Sequence, residues 1–190
     1  MALREDQVQR YGRQILLREV GGVGQRKLLA APVRVLGSSP AMDVAVAYLV
    51  AGGTPVELAP GVEVHGFLEG QPLEALSADA VPVTAPALDL LPAGLASTAP
   101  AQVVLGGGVA FKTAAACPEC WALTWAALPG GGPDVGCGSL AALVVQRITL
   151  GWGPELGLIC WKTDHFAEVA TARCPRHAIS EGNSPVITST

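Results

Sequence analysis

Four residues in two matched pairs could bind a metal. Cys117-Pro118-Glu119-Cys120 is a Cys-x-x-Cys knuckle, and Cys174-Pro175-Arg176-His177 repeats the spacing with histidine last. Three thiolates and one imidazole form a tetrahedral donor set of the kind zinc takes. Proline after the first ligand of each pair fits a tight turn whose backbone amides can face the sulfurs. Residues 121–173 separate the pairs, a far longer spacing than in a zinc finger. Such a site ties the end of the chain back to its body. Four protein ligands leave no open position, so its role would be structural. The competing reading makes Cys117 and Cys120 small apolar fillers and leaves His177 in solvent. A thioredoxin-like redox role fits less well, because this pair does not open a helix after the first strand of a βαβ unit. Cys137 and Cys160 read as buried small residues. Of these, Cys137, between Gly136 and Gly138 and just ahead of a helix, is the better candidate for a lowered thiol pKa.

A second stretch keeps the outline of a nucleotide site without its chemistry. Val33 to Gly37 reads as a first strand ending at a glycine, and Ala41 to Ala51 as the crossover helix. Between them, Gly37-Ser38-Ser39-Pro40-Ala41-Met42 stands where a dinucleotide or ATP site has a glycine-rich turn. Gly37 supplies the first glycine of GxGxxG. Ser39 replaces the second, which lets backbone approach phosphate, and Met42 replaces the third, which lets the helix pack close to the strand. Gly37, Ser38 and Ser39 are therefore the candidate nucleotide-loop residues, read as degenerate and non-functional. Met42 would make the crevice more apolar.

The elements that must position these residues follow from pattern and composition. The chain has 190 residues, half of them hydrophobic and 15% charged, which excludes disorder and allows one sizeable core. A net charge of −4 gives no reason to expect nucleic acid. No stretch approaches the roughly eighteen uninterrupted apolar residues of a membrane span. The first residues lack the apolar core of a secretory signal, so a reducing, cytoplasmic setting is expected, where cysteines bind metal more readily than they pair. Val8, Tyr11 and Ile15 mark one face of a helix over 4–18 that Gly21-Gly22 ends. A short helix over 25–31, the strand, and the crossover helix follow, with Gly52-Gly53 as its cap. A second, parallel strand over 54–58 comes next. From 59 to 100 the pattern degrades; 61–67 and 85–91 read as short elements and 72–78 as a helical turn or two. Strands over 102–105 and 109–116 precede a glycine-rich loop over 129–138. A helix over 139–150 with Ser139 as N-cap comes after it. Residues 155–161 and 165–171 alternate as a strand pair, and 179–190 read as a flexible tail.

Several of these stretches, in order, resemble the ubiquitin-activating-type adenylating enzymes, the ThiF/MoeB/HesA superfamily. Arg10-Tyr11-Gly12-Arg13-Gln14 is similar to the family's RYxRQ helix, and Gly24-Gln25-x-Lys27-Leu28 to the GQ-x-x-L segment after it. Gly37 through Gly53 aligns without a gap with its strand–turn–helix, ending in Tyr48-Leu49-x-Ala51-Gly52-Gly53. Gly136-Cys137-Gly138-Ser139-Leu140 looks like its late glycine-led helix. Cys117, Cys120, Cys174 and His177 fall where the family carries paired zinc knuckles. The resemblance covers about 1–58 and 102–178. It implies an α/β, Rossmann-like, mostly parallel sheet flanked by helices. An N-terminal dimerisation helix and a C-terminal strand pair bearing the knuckles would complete a single ThiF-like domain over 1–178, with 59–100 as its degenerate middle.

The departures bear on function. The acidic residue that ends the family's second strand and binds ribose has no counterpart in register, since Glu57 lies along the strand rather than at its tip. The Asn, Arg and Lys cluster has no match in 59–80. Gly106-Gly107-Gly108 replaces the expected Asp. ATP with magnesium needs such carboxylates and cations. Arg13 is retained where the family's arginine reaches across a dimer to the partner's nucleotide phosphates; the alternative is a surface or ion-pairing arginine. The resulting expectation is a non-catalytic or regulatory ThiF-like protein, with structural zinc and without ATP. It would be a homodimeric scaffold, or the inactive half of a heterodimer with an active relative. One alternative is an ATP-dependent adenylyltransferase that activates the C-terminal carboxylate of a sulfur-carrier, ubiquitin-like or natural-product precursor protein. Another is a small-ligand or peptide-binding module.

Overall fold

The computed structural model describes residues 2–65 and 88–178. A helical hairpin, α1 (Glu5–Ile15) and α2 (Gly21–Leu29), leads into β1 (Val33–Val35), α3 (Pro40–Ala51) and β2 (Val56–Leu58). Then come β3 (Leu88–Pro92), β4 (Ala101–Leu105), β5 (Gly108–Lys112), α4 (Pro118–Ala126) and α5 (Asp134–Leu150). A hairpin of β6 (Leu156–Lys162) and β7 (His165–Val169) leads to a one-turn helix, α6 (Pro175–Ala178). Among the described residues seven strands form one sheet in the order β2-β1-β3-β4-β5-β6-β7. The first four run parallel and the last three antiparallel. The expected α/β sheet flanked by helices is present as a mixed sheet.

Residues on alternate sides of each strand face different surroundings. On one face Val33, Val35, Leu88, Leu90, Val103, Leu105, Val109 and Phe111 join α3 and α5 in the main core. The α3 sequence is apolar nearly all round because it is buried on most sides; Met42, Ala45, Val46 and Leu49 are each fully buried. Gly138 in α5 makes this packing possible: a Cβ there would overlap the Ala41 carbonyl oxygen and sit 2.7 Å from Val44 Cβ. On the other face Leu91, Val104, Ala110, Leu158 and Cys160 pack with Trp121 of α4.

The same second face carries a polar row. Arg34 lies opposite both Glu57 and Asp89, Asp89 opposite Gln102, and Gln102 opposite Lys112. Arg34 donates two hydrogen bonds to the fully buried Asp89 carboxylate, at 2.9 and 2.7 Å. Ser97 Oγ donates a further short one to it. Asp89 raises the pKa of the Arg34 guanidinium above its ordinary value. Lys112 is pushed the other way by burial, with its ammonium 5.9 Å from the Trp121 ring centre.

The N-terminal hairpin is docked by residues of the family-like segments. Tyr11 is buried, and Gly53, at φ +83°, has no room for a side chain: a Cβ would lie 2.9 Å from Tyr11 Cζ. Gln25 Nε2 donates to the Gly52 carbonyl at 3.0 Å. Several boundaries differ from the sequence reading: β5 ends at Lys112 rather than at 116, and α4 was not anticipated. Gly21 opens α2 rather than only ending α1. Residues 62–65 form no strand, while 66–67, the turn expected over 72–78 and the tail over 179–190 lie outside the described residues. The late helix begins at Asp134 with Pro133 as its N-cap, not at Ser139, whose hydroxyl instead donates to the Gly136 carbonyl inside the first turns.

Candidate metal centre and strand-end crevice

The two knuckles meet although 53 residues lie between them. Cys117 is the N-cap of α4, with Pro118 at its first position and Cys120 in its first turn. Cys174 precedes α6, and the His177 amide closes that turn on the Cys174 carbonyl at 2.8 Å. The β6–β7 hairpin carries the second knuckle back to the first. The donor atoms of Cys117, Cys120, Cys174 and His177 all lie within 4.8 Å of one another. Cys117 Sγ is 3.9 Å from Cys174 Sγ, and His177 Nδ1 is 3.4 Å from Cys120 Sγ and 3.2 Å from Cys174 Sγ. A zinc tetrahedron with Zn–S near 2.3 Å has sulfur–sulfur edges of about 3.8 Å. The spacing fits such a metal, as does a donor set of three sulfurs and one nitrogen, and Nδ1 is the histidine atom placed to bind it.

Burial and charge grade the four ligands. Cys120 and Cys174 are buried, Cys117 is half-buried and His177 is exposed. The Cys120 backbone amide, aimed at the Cys117 sulfur, holds that thiol below its ordinary range, while burial pushes the Cys174 thiol up. The Cys174 amide donates to Cys120 Sγ at 3.3 Å. Arg176 bonds Glu119 across the two knuckles and lowers the pKa of its carboxyl. A cavity of about 320 Å³ adjoins the cluster, with Cys117, Cys120, His177, Ala116, Arg173 and Glu155 in its wall. The other two cysteines stand apart. Cys137 is buried within α5, and burial together with Asp134 raises its thiol pKa. The lowered pKa expected for Cys137 is thus reversed, because the helix starts ahead of it and encloses it.

At the ends of the parallel strands several turns of the protein contact one another. Gly37 has φ +82°, and a Cβ there would lie 3.0 Å from Pro92 Cγ, so the turn after β1 touches the end of β3. Ser39 caps α3: its hydroxyl accepts the Met42 amide at 3.2 Å. Pro40 at the first helical position has no N–H to offer. Asp43 adds a carboxylate in the first turn, and the His65 amide donates to it at 3.1 Å. Ser38 Oγ donates to the Glu63 carbonyl at 2.9 Å, so residues 63–65 lie across this helix start. Met42 does not line the crevice as expected from sequence; it is fully buried in the main core. Further along, the Gly107 amide donates to the Pro129 carbonyl at 2.6 Å, and a Cβ on Gly107 would sit 2.8 Å from the Gly130 carbonyl oxygen. The glycine loop over 129–132 therefore rests on the turn between β4 and β5. Glu57 lies along β2, exposed and opposite Arg34, as its position implies. Arg13 is exposed in the last turn of α1.

Sequence reasoning missed the Arg34–Asp89–Ser97 network and the 129–132 contact. An arginine and an aspartate in two otherwise apolar parallel strands were the available signal for the first. Tri-glycine 106–108 facing Gly130-Gly131-Gly132 was the signal for the second.

No family model matches the chain, and no curated protein matches it. Solved structures that share its fold include PaaA and MccB. The crystal structure of selenomethionine PaaA superposes with a TM-score of 0.56 at 12% identity, over 91% of this chain and 76% of PaaA. The crystal structure of E. coli MccB with MccA-N7isoASN gives a TM-score of 0.56 at 14% identity, over 87% of this chain and 73% of MccB. The chain is thus a distant structural relative of PaaA and MccB, with a cysteine–histidine cluster able to hold a metal ion.

Proposed function

We propose that this protein is a non-catalytic, ThiF-like scaffold or regulatory subunit, clasped by a structural zinc ion and lacking a competent ATP site. The observation that carries this reading is the start of α3. A helix N-terminus binds phosphate through free amides and its positive end. Here Pro40 has no amide proton, Ser39 takes the Met42 amide, and Asp43 sets a negative charge in the same turn. Residues 63–65 and 129–132 add backbone over the ends of the strands where such sheets bind ligands. The four ligands at tetrahedral spacing support zinc, held by Cys117, Cys120, Cys174 and His177 and closed to substrate. Arg13 serves as an exposed helix residue at the interface with a partner subunit.

Calorimetric titration with ATP and magnesium tests the reading. No heat of binding is expected up to about 1 mM ligand, and a micromolar Kd would end it. The fold shared with MccB keeps a second reading in play, an adenylating enzyme with an altered site. Pyrophosphate exchange dependent on a carrier or precursor protein would favour that second reading. The partner proposed is a second copy or an active relative, because Val8, Leu16, Leu17 and Val23 leave apolar side chains exposed on the N-terminal hairpin.

A further inference from the structure

We infer that Cys117 and Cys174 are an oxidation site for small hydroperoxides, at which a disulfide replaces the metal as the link between the two knuckles. The inference rests on the metal reading above. It starts from a difference in access among the five cysteines. Cys137 and Cys160 are buried in the two cores at 1% and 5% exposure. Cys117 is only half-buried, and its residue forms part of the wall of the 320 Å³ cavity. Hydrogen peroxide, little larger than a water molecule, fits a cavity of this volume, whose wall Cys117 helps to form.

The partner sulfur is already in place. Cys174 Sγ lies 3.9 Å from Cys117 Sγ, and a disulfide needs about 2.05 Å, so the two must close by about 2 Å. The half-buried side chain at the cavity edge has room to turn. Cys174 approaches from the other knuckle, so the bond would join α4 to the segment before α6. Cys120 is as buried as Cys174, but its sulfur already accepts the Cys174 amide at 3.3 Å, and a bond to it would stay within one knuckle.

The chemistry balances. The Cys117 thiolate attacks one peroxide oxygen, the O–O bond breaks, and hydroxide leaves a sulfenic acid behind. The Cys174 thiolate then attacks the Cys117 sulfur, the S–S bond forms and a second hydroxide leaves. Two thiolates lose two electrons, the peroxide gains them, and two protons from solvent complete two waters. Both sulfurs lose their charge, and Cys120 with His177 alone cannot retain the cation. The end of the chain stays tethered throughout, first through the metal and then through the covalent bond.

The test uses the full chain as purified. Metal content is measured first by mass spectrometry, then hydrogen peroxide is added while a chromogenic chelator follows release. Blocked and digested peptides are mapped afterwards. The expected result is release of one metal ion per chain with a peptide linking Cys117 to Cys174. Dithiothreitol and fresh zinc should reverse both. A Cys137→Ser, Cys160→Ser double variant should behave identically. Ala116→Leu, which narrows the cavity, should slow release severalfold at unchanged metal content. Metal retained under excess peroxide would overturn the inference while leaving the metal reading intact. So would release with Cys117 paired elsewhere or overoxidised. A chain that carries no metal and takes up no added zinc would remove both.

Discussion

At Asp89 a carboxylate is enclosed completely, and it is tolerable only because three donors reach it: two from Arg34 and one from Ser97. A buried charge without partners is costly, so the pair is best tested by breaking it. Asp89→Ala removes the main partner of Arg34, but Glu57 still lies opposite it and the arginine side chain, 38% exposed, can take up water. The expected loss is therefore below the roughly 3–5 kcal/mol of a fully buried pair, about 2–3 kcal/mol in urea unfolding. A change under about 1 kcal/mol would show that the row is ornamental. This network was hidden from sequence inspection because strand-to-strand neighbours lie 55 residues apart in the chain. By contrast the metal ligands were legible one residue at a time. Thiolate and imidazole chemistry needs a Cys-x-x-Cys or Cys-x-x-His turn, and that turn is local. Met42 was misread for the opposite reason. Its place in the GxGxxG pattern was right, but which way a helical side chain faces depends on what the helix packs against, and here that is the core.

Among the elements, α3 and α5 set the geometry of everything else. They meet at Gly138, where a Cβ would collide with the Ala41 backbone oxygen. Alanine gains about 1 kcal/mol over glycine inside a helix. Forcing a methyl against rigid backbone costs about 1–3 kcal/mol. The clash should win, so Gly138→Ala is expected to lower the urea midpoint; a rise would mean that the helices separate freely. The crossover helix α3 and the strand pair were readable from pattern, as was the α/β class; α4 was not anticipated. The first turns of α5 were not, because Gly136 and Gly138 look like a loop until a neighbouring helix explains them. A second element-level test concerns the knuckles. Metal binding at such a site is part of the folding free energy. If the clasp contributes about 3 kcal/mol, chelation should lower Tm by about 6–12 °C. Calorimetry with and without a strong chelator measures this, and an unchanged Tm in metal-loaded protein would deny the clasp a structural role.

For the whole molecule, the resembling sequence stretches turn out to share a physical task. Tyr11, Gln25, Gly52 and Gly53 converge where the N-terminal hairpin docks on the end of α3. Gly136 to Ser139 begins the helix that packs against it. These residues hold the frame, and none of them needs a nucleotide to make sense. The hairpin's outer side, with Leu16 at 84% and Val23 at 61% exposure, is the face proposed to meet a partner. Light scattering at micromolar concentration should give twice the chain mass for a homodimer. Leu16→Glu with Val23→Glu should return it to a monomer; a wild-type monomer would leave only the heterodimer with an active relative. The central claim, that the ends of the parallel strands are filled by the chain's own backbone and offer no triphosphate site, has a direct test. It is a crystal structure grown with ATP and magnesium at millimolar concentration. The account predicts Ser39 still on the Met42 amide, Gly107 still under Pro129, and no nucleotide above residues 37–42. Triphosphate density there, with residues 63–65 or 129–132 moved aside, would contradict it.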